Sequence, residues 1–203
     1  MQCAECGMAY DEDFPDDRRE HRKYHDMVVN GLPFRRYKTD RVIWEDSGAR
    51  LLVVRHRVAS LKDRKRAERV AQLANRDTRF DFAAYHAGDS DDGRDPHVFL
   101  LEVGGRFVGF LVIELREYVQ RFTWDQYDQP TGGALPKGGP VWSICMVWVH
   151  QKHRRRGFGI PLVAKAIEFL DASSTETGWY TPFTESGRAL AQRLCPESFL
   201  VAK

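Results

Sequence analysis

The stretch V141-W-S-I-C-M-V-W-V149, followed by H150-Q-K-H-R-R-R-G-F-G-I160 and then the run from Pro161 to Ala172 (PLVAKAIEFLDA), decides how the chain is read. A mostly apolar, β-branched and aromatic run of strand length gives way to a basic turn containing glycine, and that turn opens into a segment with a period of about 3.6. The reading is strand, anion-binding loop, helix. In R154-R-R-G-F-G159 the backbone N–H groups and a helix N-terminus, with its partial positive charge, are placed to surround a diphosphate. Gly157 and Gly159 are expected because a Cβ would hold phosphates off the backbone or forbid a positive φ. Pro161 suits the start of the helix, where its missing N–H has no intrahelical partner.

Working outward, the totals bound the rest. At 203 residues there is room for one full domain and a small appendage. Hydrophobic residues at 42%, with 12% aromatic, are enough for a packed core and exclude wholesale disorder. The 31 basic residues nearly balance 29 acidic ones, so nucleic-acid binding would need a local patch. Arg outnumbers Lys, a compositional hint of a GC-rich, bacterial source. No run of 18 apolar residues and no basic-then-apolar leader is present, which predicts a soluble cytoplasmic protein, or a nuclear one in a eukaryote. Four cysteines in that setting argue for thiols and metal ligation over a disulfide framework.

Cys3-x2-Cys6 and His21-x3-His25 have the ligand types and spacings of a tetrahedral zinc site, the two imidazoles sharing one helix face. Between the pairs lie D11-E12-D13 and D16-D17, a composition opposed to phosphate contacts. So short a segment needs metal to fold. Residues 31–40 read as a linker, with Gly31 and Pro33 as breakers. R41-V-I-W44 and R50-L-L-V-V-R55 read as a hairpin, and residues 61–75 as a helix with Ala67, Val70, Ala71 and Ala74 on its apolar stripe. On that helix Lys62, Arg64, Lys65, Arg66, Glu68 and Arg69 form a solvated face. H97-V-F-L-L-E-V103 and R106-F-V-G-F-L-V-I-E-L115 are joined across Gly104-Gly105, a hairpin signal. Residues 89–96 read as a turn and 123–140 as a long aperiodic loop, in which Trp124 and Tyr127 either close over a substrate or pack the loop down. Trp179-Tyr180 is a short strand, Thr184 an N-cap for a helix ending at Cys195-Pro196, and F199-L-V201 a last strand. Cys195 reads as core. The order predicts an α+β architecture of layers around one sheet.

Strand, then [Q/R]-x-x-G-x-[G/A], then helix resembles the acetyl-CoA loop of the GNAT superfamily of N-acetyltransferases. C3-A-E-C-G-M-A-Y10 with Pro15, Asp16, His21 and His25 resembles the N-terminal C2H2 finger of the eukaryotic cohesin acetyltransferases. The stretch from Val141 to Ile160, and T184-x-x-G187-x-x-x-A191-x-x-x-C195 before F199-L-V201, resemble that family's catalytic domain. The resemblance implies a GNAT fold with a mixed, mostly antiparallel sheet that splays to admit acetyl-CoA. Its units would be a zinc finger over 1–30, a linker over 31–40 and an acetyltransferase domain over 41–203. It further implies a protein lysine as acceptor and Zn²⁺ on Cys3, Cys6, His21 and His25. The backbone of Val147, Trp148 and Val149 would hold the acetyl and pantetheine portions. Arg154, Arg155, Arg156, Gly157, Phe158, Gly159 and Ile160 would hold the diphosphate, with Pro182, Phe183 and Thr184 a further contact.

Two positions depart from the family. Cys145 stands where the cohesin enzymes have Ser, and Pro182 where they have the Asp of a D-P-T motif, so the acceptor and the base are left open. Candidates for the base are Glu185, Glu114 and His150. Tyr180 is the candidate acid for the leaving thiolate, and Cys145 the candidate for a covalent route, though a buried strand cysteine more often acts as a small hydrophobe. Three classes stand side by side: a protein lysine acetyltransferase, a small-molecule amine acetyltransferase, and an inactive zinc-dependent binding module.

Overall fold

The computed structural model describes residues 1–79, 84–88, 94–129 and 135–202. Residues 89–93 of the expected turn and 130–134 of the expected long loop lie outside them. In chain order the elements are α1 (Pro15–Asn30), β1 (Leu32–Pro33), β2 (Arg41–Asp46), β3 (Ala49–Arg55), α2 (Leu61–Thr78), β4 (His97–Val103), β5 (Arg106–Arg116), β6 (Val119–Thr123), α3 (Trp124–Asp128), β7 (Leu135–Lys137), β8 (Val141–Val149), α4 (Gly159–Phe169), β9 (Gly178–Tyr180), α5 (Glu185–Leu194) and β10 (Ser198–Ala202). Short 3-10 turns sit at Gln151–His153 and Ser174–Glu176.

The strands form one sheet in the order β2-β3-β4-β5-β8-β9-β10-β6-β7, with β1 pairing β5 off that path. Among the described residues only the β8–β9 and β9–β10 pairings are parallel. The two expected hairpins are β2–β3 and β4–β5, and the second turns at Gly104 and Gly105, both at positive φ, 59° and 80°. β4 is apolar on both sides because both are covered. Phe99 and Leu101 pack with Leu162, Val163, Ala166 and Ile167 of α4, whereas Val98 and Leu100 pack with Ala67, Val70, Ala71 and Ala74 of α2. Each such large side chain, withdrawn from water, contributes about 1.5–3 kcal/mol. α2 starts where Ser60 accepts a hydrogen bond from the Asp63 N–H.

Two expectations are corrected. The loop expected over 123–140 holds β6's end, α3 and β7: Thr123 and Gln126 form a capping box, a signal available in the sequence. Trp124 stacks on Phe199 at 4.1 Å between ring centroids and donates from Nε1 to the Cys195 carbonyl at 2.9 Å. Tyr127 meets Phe183 and Phe199 edge-on, so both residues pack the segment onto the domain. Secondly, Arg66 is not on a solvated face. It is 6% exposed, paired with Asp40 and Asp63, donating to the Arg35 carbonyl, and set over the rings of Tyr37 and Phe107. Residues of the 31–40 stretch pack onto the domain. Leu32 is buried and pairs with Phe107, and Phe34 donates its N–H to Gly105 while lying edge-on to Phe107. Gly31 lies so close to this strand that a Cβ would come within 2.7 Å of the Phe107 carbonyl oxygen.

Candidate active site and metal centre

β8 is held along one edge by β5, but the register skips a residue: Val112 faces Met146 and Ile113 faces Ile144, so Cys145 is the extra residue of a β-bulge. On the other edge β8 meets β9 only at Ser143 and Ile144. From Cys145 to Trp148 that edge has no strand partner among the described residues, and its main-chain donors and acceptors face the opening between the two strands. The side chains of Val147 and Val149 turn toward the α4 side of the sheet and Trp148 toward the α2 side. Only the backbone of the three is available to a ligand in this opening.

The loop after β8 fits an anion. Arg155 and Gly157 have φ of 59° and 86°, the alternation that turns successive N–H groups to one side. The first helical hydrogen bond of α4 runs from the Leu162 N–H to the Phe158 carbonyl, at 3.1 Å, so the amides before it precede the helical ladder. Arg155 and Arg156 are exposed beside them. Gly157 needs its positive φ. Gly159, by contrast, is helical and a Cβ there would only touch Leu190 at 3.6 Å. The helix begins at Gly159 rather than at Pro161, which is its third residue and still among the positions lacking an intrahelical N–H partner. Arg154 points elsewhere: its Nε donates to the Val149 carbonyl at 2.9 Å and its guanidinium pairs with Asp77. Of the further stretch, Pro182 is exposed, Phe183 lies among Trp124, Trp179 and Phe199, and Thr184 caps α5 by accepting from the Gly187 N–H at 3.0 Å.

Where β8 and β9 part, four side chains converge. Glu114 of β5, 5% exposed, accepts from the Tyr180 hydroxyl at 2.9 Å and pairs with Arg116, both on Oε1, leaving Oε2 free of either bond. The Arg116 guanidinium also lies 5.0 Å from the centre of the Tyr180 ring. Burial, with the Cys145 and Glu114 charges, pushes the Tyr180 phenol well above its ordinary value. Burial, then the Glu114 carboxylate, does the same to the Cys145 thiol. Both groups therefore keep their protons at neutral pH. Glu185 is not part of this cluster. It sits exposed in the first turn of α5, where its charge complements the helix dipole. His150 is engaged away from the opening, with Nε2 2.9 Å from the Val28 carbonyl.

The metal centre is assembled by a turn and a helix. Gly7, at φ 68°, closes the turn carrying Cys3 and Cys6, its N–H donating to the Cys3 carbonyl. α1 presents His21 and His25 one turn apart. One ligand atom from each of the four residues lies within 4.8 Å of the others. Cys3 Sγ and His25 Nδ1 are 3.4 Å apart, close to the roughly 3.5 Å separating a thiolate and an imidazole on one tetrahedral zinc. His21 Nε2 is buried without a hydrogen-bond partner, as a ligand nitrogen would be. Glu5 stands 3.3 Å from His25 Nε2, a carboxylate behind a ligand imidazole. The Cys3 thiol is lowered to about 6 by backbone N–H groups of the turn and by the histidines, which favours the thiolate a metal needs. The donor set fits Zn²⁺.

A family model described as "Acetyltransferase (GNAT) family" matches residues 67–194. The chain belongs to the GNAT acetyltransferase family. A second model, "zinc-finger of acetyl-transferase ESCO", matches residues 1–27, over the four metal ligands. Among solved structures, the xEco2 acetyltransferase domain bound to a K105-CoA conjugate is 20% identical, with a TM-score of 0.62, covering 82% of this chain and 98% of that one. The same domain without the conjugate gives a TM-score of 0.59 at 20% identity, covering 83% and 98%. No curated protein sequence matches the chain. This acetyltransferase thus uses acetyl-CoA and carries an N-terminal C2H2 zinc finger. Among its described residues no helix is long and apolar enough to cross a membrane.

Proposed function

We propose that this acetyltransferase moves an acetyl group from acetyl-CoA to a lysine side chain of a protein by direct attack of the amine. The observation that carries the reading is the convergence of Glu114, Tyr180 and Cys145 at the fork of β8 and β9. Residues 154–160 and the freed edge of β8 would hold the coenzyme, which supplies the thioester carbonyl. Glu114 is the base: Oε2 takes a proton from the incoming ammonium, whose ordinary pKa of about 10.4 leaves almost no free amine at neutral pH. The backbone N–H near Trp148 or Val149 meets the developing oxyanion. As the C–N bond forms and the C–S bond breaks, Tyr180, kept protonated, gives its proton to the departing thiolate and is reprotonated by the second proton that the amide nitrogen sheds. Cys145 is a thiol rather than a thiolate, which argues against a covalent acetyl-enzyme.

A protein acceptor is supported by the ESCO-type finger and by the likeness to a domain whose structure holds a lysine–CoA conjugate. With this reading go the proposed units: a finger over 1–30, a linker over 31–40 and a catalytic domain over 41–203. Two of the four cysteines are claimed by zinc as thiolates, which supports a reducing, cytoplasmic setting. The test is thiol release from acetyl-CoA against lysine peptides and polyamines. Peptides are expected to react, and Glu114→Gln to lose about a hundredfold or more in kcat while binding CoA normally. Turnover with polyamines alone would place the acceptor among small amines, and full activity in Glu114→Gln would remove the base.

A further inference from the structure

Asp77 occupies the last turn of α2, where a carboxylate meets the negative end of the helix dipole, so local energetics disfavour it there. Its oxygen is committed to tertiary contacts instead. Oδ2 accepts from the Trp148 indole Nε1 at 2.7 Å and pairs with Arg154. Trp148 is on β8 beside the opening, and Arg154 begins the diphosphate loop and also donates to the Val149 carbonyl. One carboxylate thus ties strand to loop across the corner that the loop must turn.

A second tie comes from the finger. α1 has no basic residue in its own last turn and no fully buried residue, so a 16-residue helix has little of its own to hold its end. The loop supplies what is missing: His150 Nε2 meets the Val28 carbonyl, and Lys152 Nζ donates to Asn30 Oδ1 at 2.9 Å. The start of the same loop thus satisfies one carbonyl at the C-terminal end of α1 with an imidazole N–H and places the Lys152 ammonium beside it. The middle of α1 is tied to the cysteine turn through His21 and His25, and Arg76 of α2 donates to the Cys6 carbonyl of that turn.

We propose that Asp77 is a positioning residue for the coenzyme loop and that the last turn of α1 is its second brace, so that zinc in the finger sets the affinity for coenzyme A. This rests on the assignment of residues 154–160 to the diphosphate. The test is calorimetric titration of CoA into the full zinc-loaded chain. Asp77→Ala is expected to bind about tenfold more weakly and to raise KM for acetyl-CoA, with kcat at saturation within about threefold of wild type. Asp77→Asn, which keeps an acceptor for Trp148 and loses the charge facing Arg154, should fall between. Lys152→Met tests the second brace with the metal in place and should also weaken binding. Chelating the zinc should weaken CoA binding reversibly and raise hydrogen exchange over residues 150–160, while β3 to β5 stay protected. Affinity within twofold of wild type for Asp77→Ala, or for the zinc-free chain, overturns the proposal. Wild-type protein that binds no CoA would instead overturn the diphosphate assignment beneath it.

Discussion

A thiol on a covered strand beside a carboxylate is driven to stay protonated, and Cys145 is that case. The consequence is a stability change with a definite sign. In the unfolded chain a cysteine ionises near pH 9, whereas the folded protein holds the proton to higher pH. Above pH 9 the unfolded state therefore binds fewer protons, and folding stability falls as pH rises. Its contribution is fully present below pH 9. Urea titrations at pH 8 and pH 10.5 should show a loss from this group of at most about 2 kcal/mol, and Cys145→Ala should be less sensitive to alkali by that amount. Equal alkaline losses in both proteins would mean that the thiol titrates freely. At this scale the sequence exposed the chemistry of Cys145 and Tyr180 and offered Glu114 as one of three bases without choosing among them. Glu114 lies 31 residues before Cys145, and only the β5–β8 register, shifted by the bulge, brings the two together.

At the scale of elements, the opening depends on where β9 stops touching β8. Gly178 pairs with Ser143 at that junction, and a Cβ on Gly178 would collide with the buried Ser143 hydroxyl. Gly178→Ala should push β9 away, costing about 1–3 kcal/mol as an overpacked contact and weakening CoA binding with it. Thermal melting together with calorimetry checks this, and a variant with wild-type stability would show that the strands have slack there. The strand, basic loop and helix from Val141 to Phe169 were legible because period and turn chemistry change abruptly at His150 and Gly157. β6 and β7 were not legible, and α3 only through the capping box of Thr123 and Gln126. Their order comes from Trp124 and Tyr127 docking on Phe199 and Phe183, contacts made across some 55 to 75 residues that no local pattern encodes.

Taken as a whole, the molecule fastens its finger, its linker and its catalytic sheet together through buried or half-buried arginines. Arg106 pairs with Asp26 of α1 at 2.8 Å and donates to the Gly31 carbonyl, holding Asp26 well below the usual carboxylate range. Deeper in, Arg66 spans from α2 to the linker, its guanidinium between Asp40 and Asp63, whose side chains are 4% and 6% exposed. A periodicity argument puts position 66 on a polar face. It is buried because residues 35–40 fold across it, with Tyr37 covering the guanidinium. Removing the cation strands two acids out of water, and losing one partner of a buried pair typically costs about 3–5 kcal/mol. Arg66→Ala should therefore destabilise the protein by about that much in urea. Arg66→Met combined with Asp40→Asn and Asp63→Asn, which withdraws both charges along with the cation, should recover a good part of the loss. A single Arg66→Ala change costing under about 1 kcal/mol would mean that water reaches the pair and that the linker lifts off the domain in solution.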